Sequence, residues 1–247
     1  MVELLILGLV QGLTEFLPVS SSGHLVILSK IFNLGEQIIA ITLVLHLGTC
    51  LSLLVFFFKD IVKLLRTPRT IYLVVAVTVI TGIIGLSGKN FFESLFFSPR
   101  AVALGWLITA TVLLSTKKFM NARRELPNII DALILGITQG LAIVPGISRS
   151  GITVATLLFR KIDKITAFRF SFLAAIPAIF GAAIIEFRKI NFAIKLDWFA
   201  LGGGFLVSFA SGLFALWFLE QSVKKAKLHY FAYYCAVIAV LTLIFIK

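Results

Sequence analysis

The sequence predicts an all-α polytopic membrane protein, with six transmembrane helices and two re-entrant helix-loop-helix hairpins arranged as an inverted-topology repeat. Three observations carry that prediction. The chain of 247 residues is 60% hydrophobic and only 14% charged, against about 25% charged in an ordinary soluble domain, so its apolar surface needs lipid as solvent. Six runs carry no Asp, Glu, Lys or Arg and have near-spanning length. Two further apolar segments are interrupted at their middles and match each other at a spacing of 128 residues.

In chain order, the first interrupted segment covers residues 3–30. Its break reads Leu17-Pro18-Val19-Ser20-Ser21-Ser22-Gly23: Pro cannot continue a helix, and Ser before an apolar run is a helix N-cap signal. The uncharged runs 38–58, 70–88 and 101–116 follow as spans. The second interrupted segment, 131–160, breaks at Pro145-Gly146-Ile147-Ser148-Arg149-Ser150-Gly151, and runs 170–185, 198–219 and 228–246 complete the set. A bilayer crossing takes about 20 residues, so the two shortest runs, 101–116 and 170–185, need a snorkelling flank.

Residues 6–23 and 134–151 are identical at 9 of 18 positions, among them Gln11/Gln139, Gly12/Gly140, Ser20/Ser148, Ser22/Ser150 and Gly23/Gly151. The chain is read as one integral membrane domain, 1–247, built from two copies, 1–118 and 128–247. Each copy is an interrupted segment followed by three spans. As helices, residues 4–17 and 20–30 would be about 21 and 16 Å long, short of an apolar core of roughly 30 Å, so neither arm crosses. Loop charge agrees, because cytoplasmic loops are enriched in Lys and Arg. With both segments re-entrant, 15 loop cations fall on one side and 7 on the other, against 12 and 10 if both cross. Three spans per copy is odd, so the copies are inverted, both termini lie outside, and the hairpin tips meet near the midplane.

The net charge of +12 lies in short connections, where it sets topology rather than forming a nucleic-acid face. Cys50 and Cys235 stand in uncharged runs as packing or lipid-facing residues, without a disulfide or metal pattern. His46 and His229 read as packing or interface residues, and Gly202-Gly203-Gly204 as helix packing. The acidic flank Met1-Val2-Glu3 does not read as a signal peptide.

Ionisable groups at membrane depth mark function. Ser20, Ser21, Ser22, Ser148 and Ser150 stand where the second arm of each hairpin begins, so hydroxyls, free backbone N–H groups and helix dipoles converge on an anion site. Arg149 adds a planar fork of donors suited to phosphate. Ser21 and His24, three apart at a helix start, share a face on which a nucleophile and a base can meet. Gln11 and Glu15, four apart, share another; Glu15 is either a metal ligand or a general base. Structural roles stand beside these: Ser20 and Ser148 as caps, Gln11 and Gln139 as a symmetric hydrogen bond, Glu15 and Arg149 as a fold-stabilising pair.

The run Gln11-Gly12-Leu13-Thr14-Glu15-Phe16-Leu17-Pro18-Val19-Ser20-Ser21-Ser22-Gly23-His24, with Pro145-Gly146-Ile147-Ser148-Arg149-Ser150-Gly151-Ile152-Thr153, closely resembles the undecaprenyl-diphosphate phosphatase family of the bacitracin-resistance type. The resemblance implies release of the terminal phosphate of undecaprenyl diphosphate in the bacterial inner membrane, recycling the lipid carrier for peptidoglycan and envelope polymers. It implies roles for Glu15 with Gln11, for Ser21 and His24 as nucleophile and partner, and for Ser148, Arg149 and Thr153 as the phosphate-binding motif; with the residue reading above, this gives a catalytic set of Glu15, Ser21, His24 and Arg149 and substrate contacts at Gln11, Ser20, Ser22, Gln139, Ser148, Ser150 and Thr153. Gln11 stands where some members carry Glu. A divalent cation, magnesium or calcium, with Glu15 as ligand, is expected, as are a polyprenyl diphosphate partner, membrane lipids and a homodimer, without nucleic acid. The competing class is a lipid-phosphate transporter or flippase using the same midplane anion site. The Ser, His, Glu and Arg set weighs toward hydrolysis, and a channel is weaker still because no ring of like charges is visible.

Overall fold

The structure, a computed structural model, describes residues 1–32, 34–121, 124–188 and 197–246. Arg123, Lys189, Lys195 and Lys247, all weighed in the loop-charge comparison, lie outside the described residues. The first interrupted segment forms α1 (Val2–Phe16) and α2 (Ser21–Ile31). Helices α3 (Ile38–Phe56), α5 (Pro68–Ser87) and α7 (Pro99–Ser115) follow, with short α4 (Phe58–Leu65) and α6 (Lys89–Leu95) between them. The second segment forms α8 (Ile129–Leu141) and α9 (Arg149–Phe159), and α10 (Lys164–Phe187), α11 (Trp198–Lys224) and α12 (Phe231–Phe245) complete the chain.

Six helices are long and apolar enough to cross a membrane: α3, α5, α7 with its extension to Lys118, α10, α11, and α12 with its lead-in from Leu228. The two shortest runs gain length at charged flanks, α7 starting at Pro99 and α10 at Lys164. Pro68 and Pro99 open α5 and α7, the position where the missing N–H costs nothing. The short helices α4 and α6 were not expected; eight and seven residues carry too little periodicity to stand out beside the spans.

Both breaks are local consequences of sequence. Leu17, the residue before Pro18, is extended at φ −63° and ψ 147°, because the proline ring disfavours the helical region there. Ser20 then caps α2, its Oγ accepting from Gly23 N at 3.3 Å, and Ser148 caps α9 by accepting from Gly151 N at 3.2 Å. The neighbouring hydroxyls repeat the pattern, Ser20 to Ser22 and Ser148 to Ser150 both at 3.2 Å. Each short helix packs on its partner, α1 on α2 and α8 on α9, and each pair lodges against a long helix of the other half, α1 along α11 and α8 along α5.

Between helices in lipid, close packing replaces the hydrophobic effect as the driving force. A Cβ on Gly8 would lie 2.5 Å from the Gly204 carbonyl oxygen, so α1 and α11 touch backbone to backbone. Phe16, Phe57, Trp106, Phe168 and Phe172 fill the centre, and Cys50 and Cys235 are buried and free, packing rather than facing lipid. Tyr72, Val75, Val79, Ile83 and Leu86 of α5 point outward, as do Tyr233, Val237, Leu241 and Ile244 of α12. Such exposed apolar stripes suit a multi-pass membrane protein.

The open end of the second pair is closed by charge. Fully buried Asp131, in the first turn of α8 and outside the six spans, accepts from Arg124 Nη2 at 2.7 Å, Arg160 Nε at 2.8 Å and Asn128 N at 2.8 Å. Asn128 Oδ1 accepts in turn from Asp131 N at 3.0 Å, a capping box. Burial opposes ionisation of Asp131, but the hydrogen bonds from Arg124 and Arg160, the Asn128 amide and the Arg124 charge outweigh it and hold the carboxyl below its ordinary range.

Asp131 therefore contributes stability fully above an unfolded value of about 3.9, and loses it as pH falls through the lower folded value. Thermal unfolding in detergent should drop to lower temperature on that acid side. Asp131→Asn should cost about 2 kcal/mol at neutral pH and should flatten the acid-side loss. Gly146, at φ +88°, offers a second check, since a Cβ there would sit 2.0 Å from the Val102 carbonyl oxygen. Gly146→Ala should cost at least about 2 kcal/mol, whereas Gly82→Ala, in α5 with open space around it, should leave the melting temperature unchanged or raised.

Candidate functional site

Glu15 lies in the last turn of α1 with its side chain 8% exposed. Its Oε1 pairs with Arg149 Nη2, the first residue of α9. Its Oε2 accepts from Ser21 Oγ at 2.7 Å, the first residue of α2, and from Gln11 Nε2 at 3.1 Å, one turn back along α1. Four groups from three helices thus converge because two helix starts and one helix end meet at one point.

The two breaks also bond directly to each other. Ser20 Oγ accepts from Gly146 N at 3.1 Å, and Ser150 Oγ donates to the Leu17 carbonyl at 3.2 Å. Helix α7 supplies the remaining partners: Trp106 Nε1 donates to the Val19 carbonyl at 2.8 Å, and Thr109 Oγ1 accepts from Ser148 N at 2.9 Å while facing the Gly146 carbonyl at 3.0 Å. Irregular backbone buried in apolar surroundings must have its polar groups met in this way. Ser20 and Ser148 are caps, Ser20 and Ser150 tie the two breaks to each other, and Ser22 and Ser148 bond within their own breaks.

His24 does not meet Ser21. Its Nδ1 donates to the Ser20 carbonyl at 2.7 Å, its Nε2 lies 2.7 Å from the Tyr234 hydroxyl, and Trp106 packs edge-on at 5.2 Å between ring centroids. A buried imidazole needs both nitrogens satisfied; the Ser20 carbonyl and Tyr234 do this, while Glu15 takes the Ser21 hydroxyl. Thr153 turns away from the cluster, donating to the Arg149 carbonyl at 2.7 Å and meeting Ser171 of α10 at 2.6 Å. Gln139 Nε2 donates to Thr81 of α5 at 3.1 Å. Thr153 and Gln139 are thereby bonded into the scaffold that holds α8 and α9.

His46, which the sequence alone presents as a packing or interface residue, stands beside the cluster: its Nε2 lies 3.6 Å from Glu15 Oε2, with Nδ1 donating to the Thr42 carbonyl at 2.9 Å. Only the packing of α3 on α1 brings them together, and no local spacing announces it. Tyr234 and Thr109 were missed for the same reason.

Among the described residues no group of three or more His, Cys, Asp or Glu could hold a metal. One carboxylate remains, and beside it the buried Gln11 Oε1 has no hydrogen-bond partner among the described residues. A carboxylate and an orphaned amide oxygen fit a hard cation completed by substrate oxygens and water.

Chemically, the cluster offers a hydroxyl already bonded to a carboxylate, a guanidinium beside it, and two helix N-termini directed at the same point. That combination is chemically able to bind and transfer a phosphoryl group.

Comparison with known proteins agrees in kind. Residues 4–241 match the family model described as "Bacitracin resistance protein BacA". The chain is 41% identical to a protein named undecaprenyl-diphosphatase from Carboxydothermus hydrogenoformans, over 98% of this chain and 96% of that one. It is 42% identical to the one from Thermotoga petrophila (96% and 98% covered) and 39% identical to the one from Bacteroides fragilis (98% and 97%). The chain belongs to the BacA bacitracin-resistance family.

Proposed function

We infer that this multi-pass membrane protein is an undecaprenyl-diphosphatase, a hydrolase that cleaves undecaprenyl diphosphate to undecaprenyl phosphate and inorganic phosphate. The observation that carries the reading is Ser21 Oγ at 2.7 Å from a buried Glu15 that also pairs with Arg149, in a chain whose relatives bear that name.

In the proposed reaction Arg149 leaves Glu15 for the terminal phosphate, which the first-turn N–H groups of α2 and α9 also face. Ser21 Oγ attacks that phosphorus while Glu15 takes its proton. The bond to the bridging oxygen breaks, and undecaprenyl phosphate departs with the electron pair. Water then cleaves the phosphoserine, and the proton on Glu15 returns to Ser21. His24, anchored to the Ser20 carbonyl, acts as a positioning residue by holding the turn that presents Ser21. Glu15 and Gln11 Oε1 would hold a magnesium or calcium ion, which when bound offsets phosphate charge.

The interrupted segments are proposed as re-entrant hairpins in inverted copies. Helices of 15, 11, 13 and 11 residues are about 16 to 22 Å long, short of roughly 30 Å. The Asp131 contacts to Arg124 and Arg160 put the start of α8 beside the end of α9, as a hairpin requires. Loop charge favours both termini outside.

The test is phosphate release from a long-chain polyprenyl diphosphate by purified protein in detergent. Wild type should turn over, chelator should suppress release, and added magnesium or calcium should restore it. Arg149→Ala and Glu15→Gln should each lose about 10²- to 10³-fold, and His24→Ala up to about 10²-fold. Near-normal turnover by folded Arg149→Ala would remove the site assignment, and no release by folded wild type would remove the activity.

A further inference from the structure

A second cationic site stands apart from the Glu15 cluster. At the junction of α8 and α9, Arg124, Phe159, Arg160 and Lys161 line a cavity of about 490 Å³. Buried Asp131 takes an N–H from each arginine, and Arg124 Nη2 also donates to the Arg160 carbonyl at 2.9 Å, so both guanidinium groups are held rather than free to wander. All three charged residues that line the cavity are cations, and buried Asp131 pairs with two of them, Arg124 and Arg160. Lys161 is exposed and sits at φ +61°, a conformation costly for any residue but glycine. Its carbonyl accepts from Arg124 N at 3.1 Å, which fixes the turn that places it there.

From this basic cavity an apolar stripe runs down α8. Ile130, Leu133, Ile137 and Leu141 are spaced three, four and four apart and are between 40% and 52% exposed. The stripe is about 16 Å long. A basic pocket at one end of an exposed apolar stripe matches an amphiphile with an anionic head, and at a membrane face such pockets take up anionic lipid headgroups.

We propose that this cavity seats the headgroup of an anionic bilayer phospholipid whose acyl chain lies along the α8 stripe. The site is independent of the phosphatase reading. Its occupant ties α8 to α9 at the same end as Asp131, so binding should be visible as thermal stabilisation without any turnover.

The experiment is thermal unfolding of the full chain in detergent, titrated with dioctanoyl phosphatidylglycerol, dioctanoyl phosphatidylcholine or inorganic phosphate. Phosphatidylglycerol alone should raise the melting temperature, and less so as salt is added. Lys161→Gly, whose backbone suits glycine, should keep at least the wild-type melting temperature without lipid and bind about fivefold more weakly. Lys161→Glu should abolish the rise. An equal rise with phosphatidylcholine, the same rise with phosphate alone, no rise at all, or an unchanged rise in Lys161→Glu would each overturn the proposal.

Discussion

The candidate site is organised around one ion pair, Glu15 with Arg149. Either charge alone would be expensive where it lies, because desolvation of an unpaired ion costs several kcal/mol even after relaxation. Together they are tolerable only because each remaining demand is met: Ser21 and Gln11 supply donors to the second carboxylate oxygen, and two helix starts bring the pair within reach. Apolar residues of similar volume would stabilise such a site as well or better. Stability therefore gives no reason for a buried pair here, and the proposed chemistry does.

Around that pair the backbone is irregular, and the fold compensates. Helices α1 and α8 stop short, and the carbonyls and amides they release bond to Trp106 and Thr109 of α7 and to the serines of the opposite break. Trp106 is wholly buried beneath Gly23, whose missing Cβ would lie 2.8 Å from its ring. Gly23 and Gly146 show why the broken helices do not refill: a side chain at either would push α7 away from the carbonyls it serves. Rigidity at the breaks thus follows from packing and hydrogen bonding together.

Local chemistry was legible in the sequence, and long-range chemistry was not. Spans, breaks and caps follow from charge-free runs, Pro18 and the serines, and each is found where those signals put it. Glu15 and Arg149 were identifiable as misplaced charges, although their pairing spans 134 positions. The Ser21–His24 partnership failed because helical spacing says which residues share a face, not which neighbour outside the helix satisfies each nitrogen. His46 failed for the converse reason, since its partner comes from another helix. Short α4 and α6 lack the length to carry a pattern.

The matched segments differ at the positions to which the proposed reaction assigns the chemistry. At the spacing of 128 residues, Gln11, Gly12, Ser20, Ser22 and Gly23 face their own kind, whereas Glu15 corresponds to Ile143, Ser21 to Arg149 and His24 to Ile152. Apart from Gln11, which bonds Glu15, the identical residues form close contacts, caps and ties, which both breaks need equally. Three of the differing residues, Glu15, Ser21 and Arg149, meet at a single point, where symmetry would be destructive: two carboxylates there would repel and force one to keep a proton, and two arginines would leave buried charge uncompensated. One copy therefore carries the anion and the hydroxyl, and the other carries the cation. Asymmetry in those few side chains gives two similar breaks one site, in which the proposed reaction draws its nucleophile from the first and its phosphate-binding charge from the second.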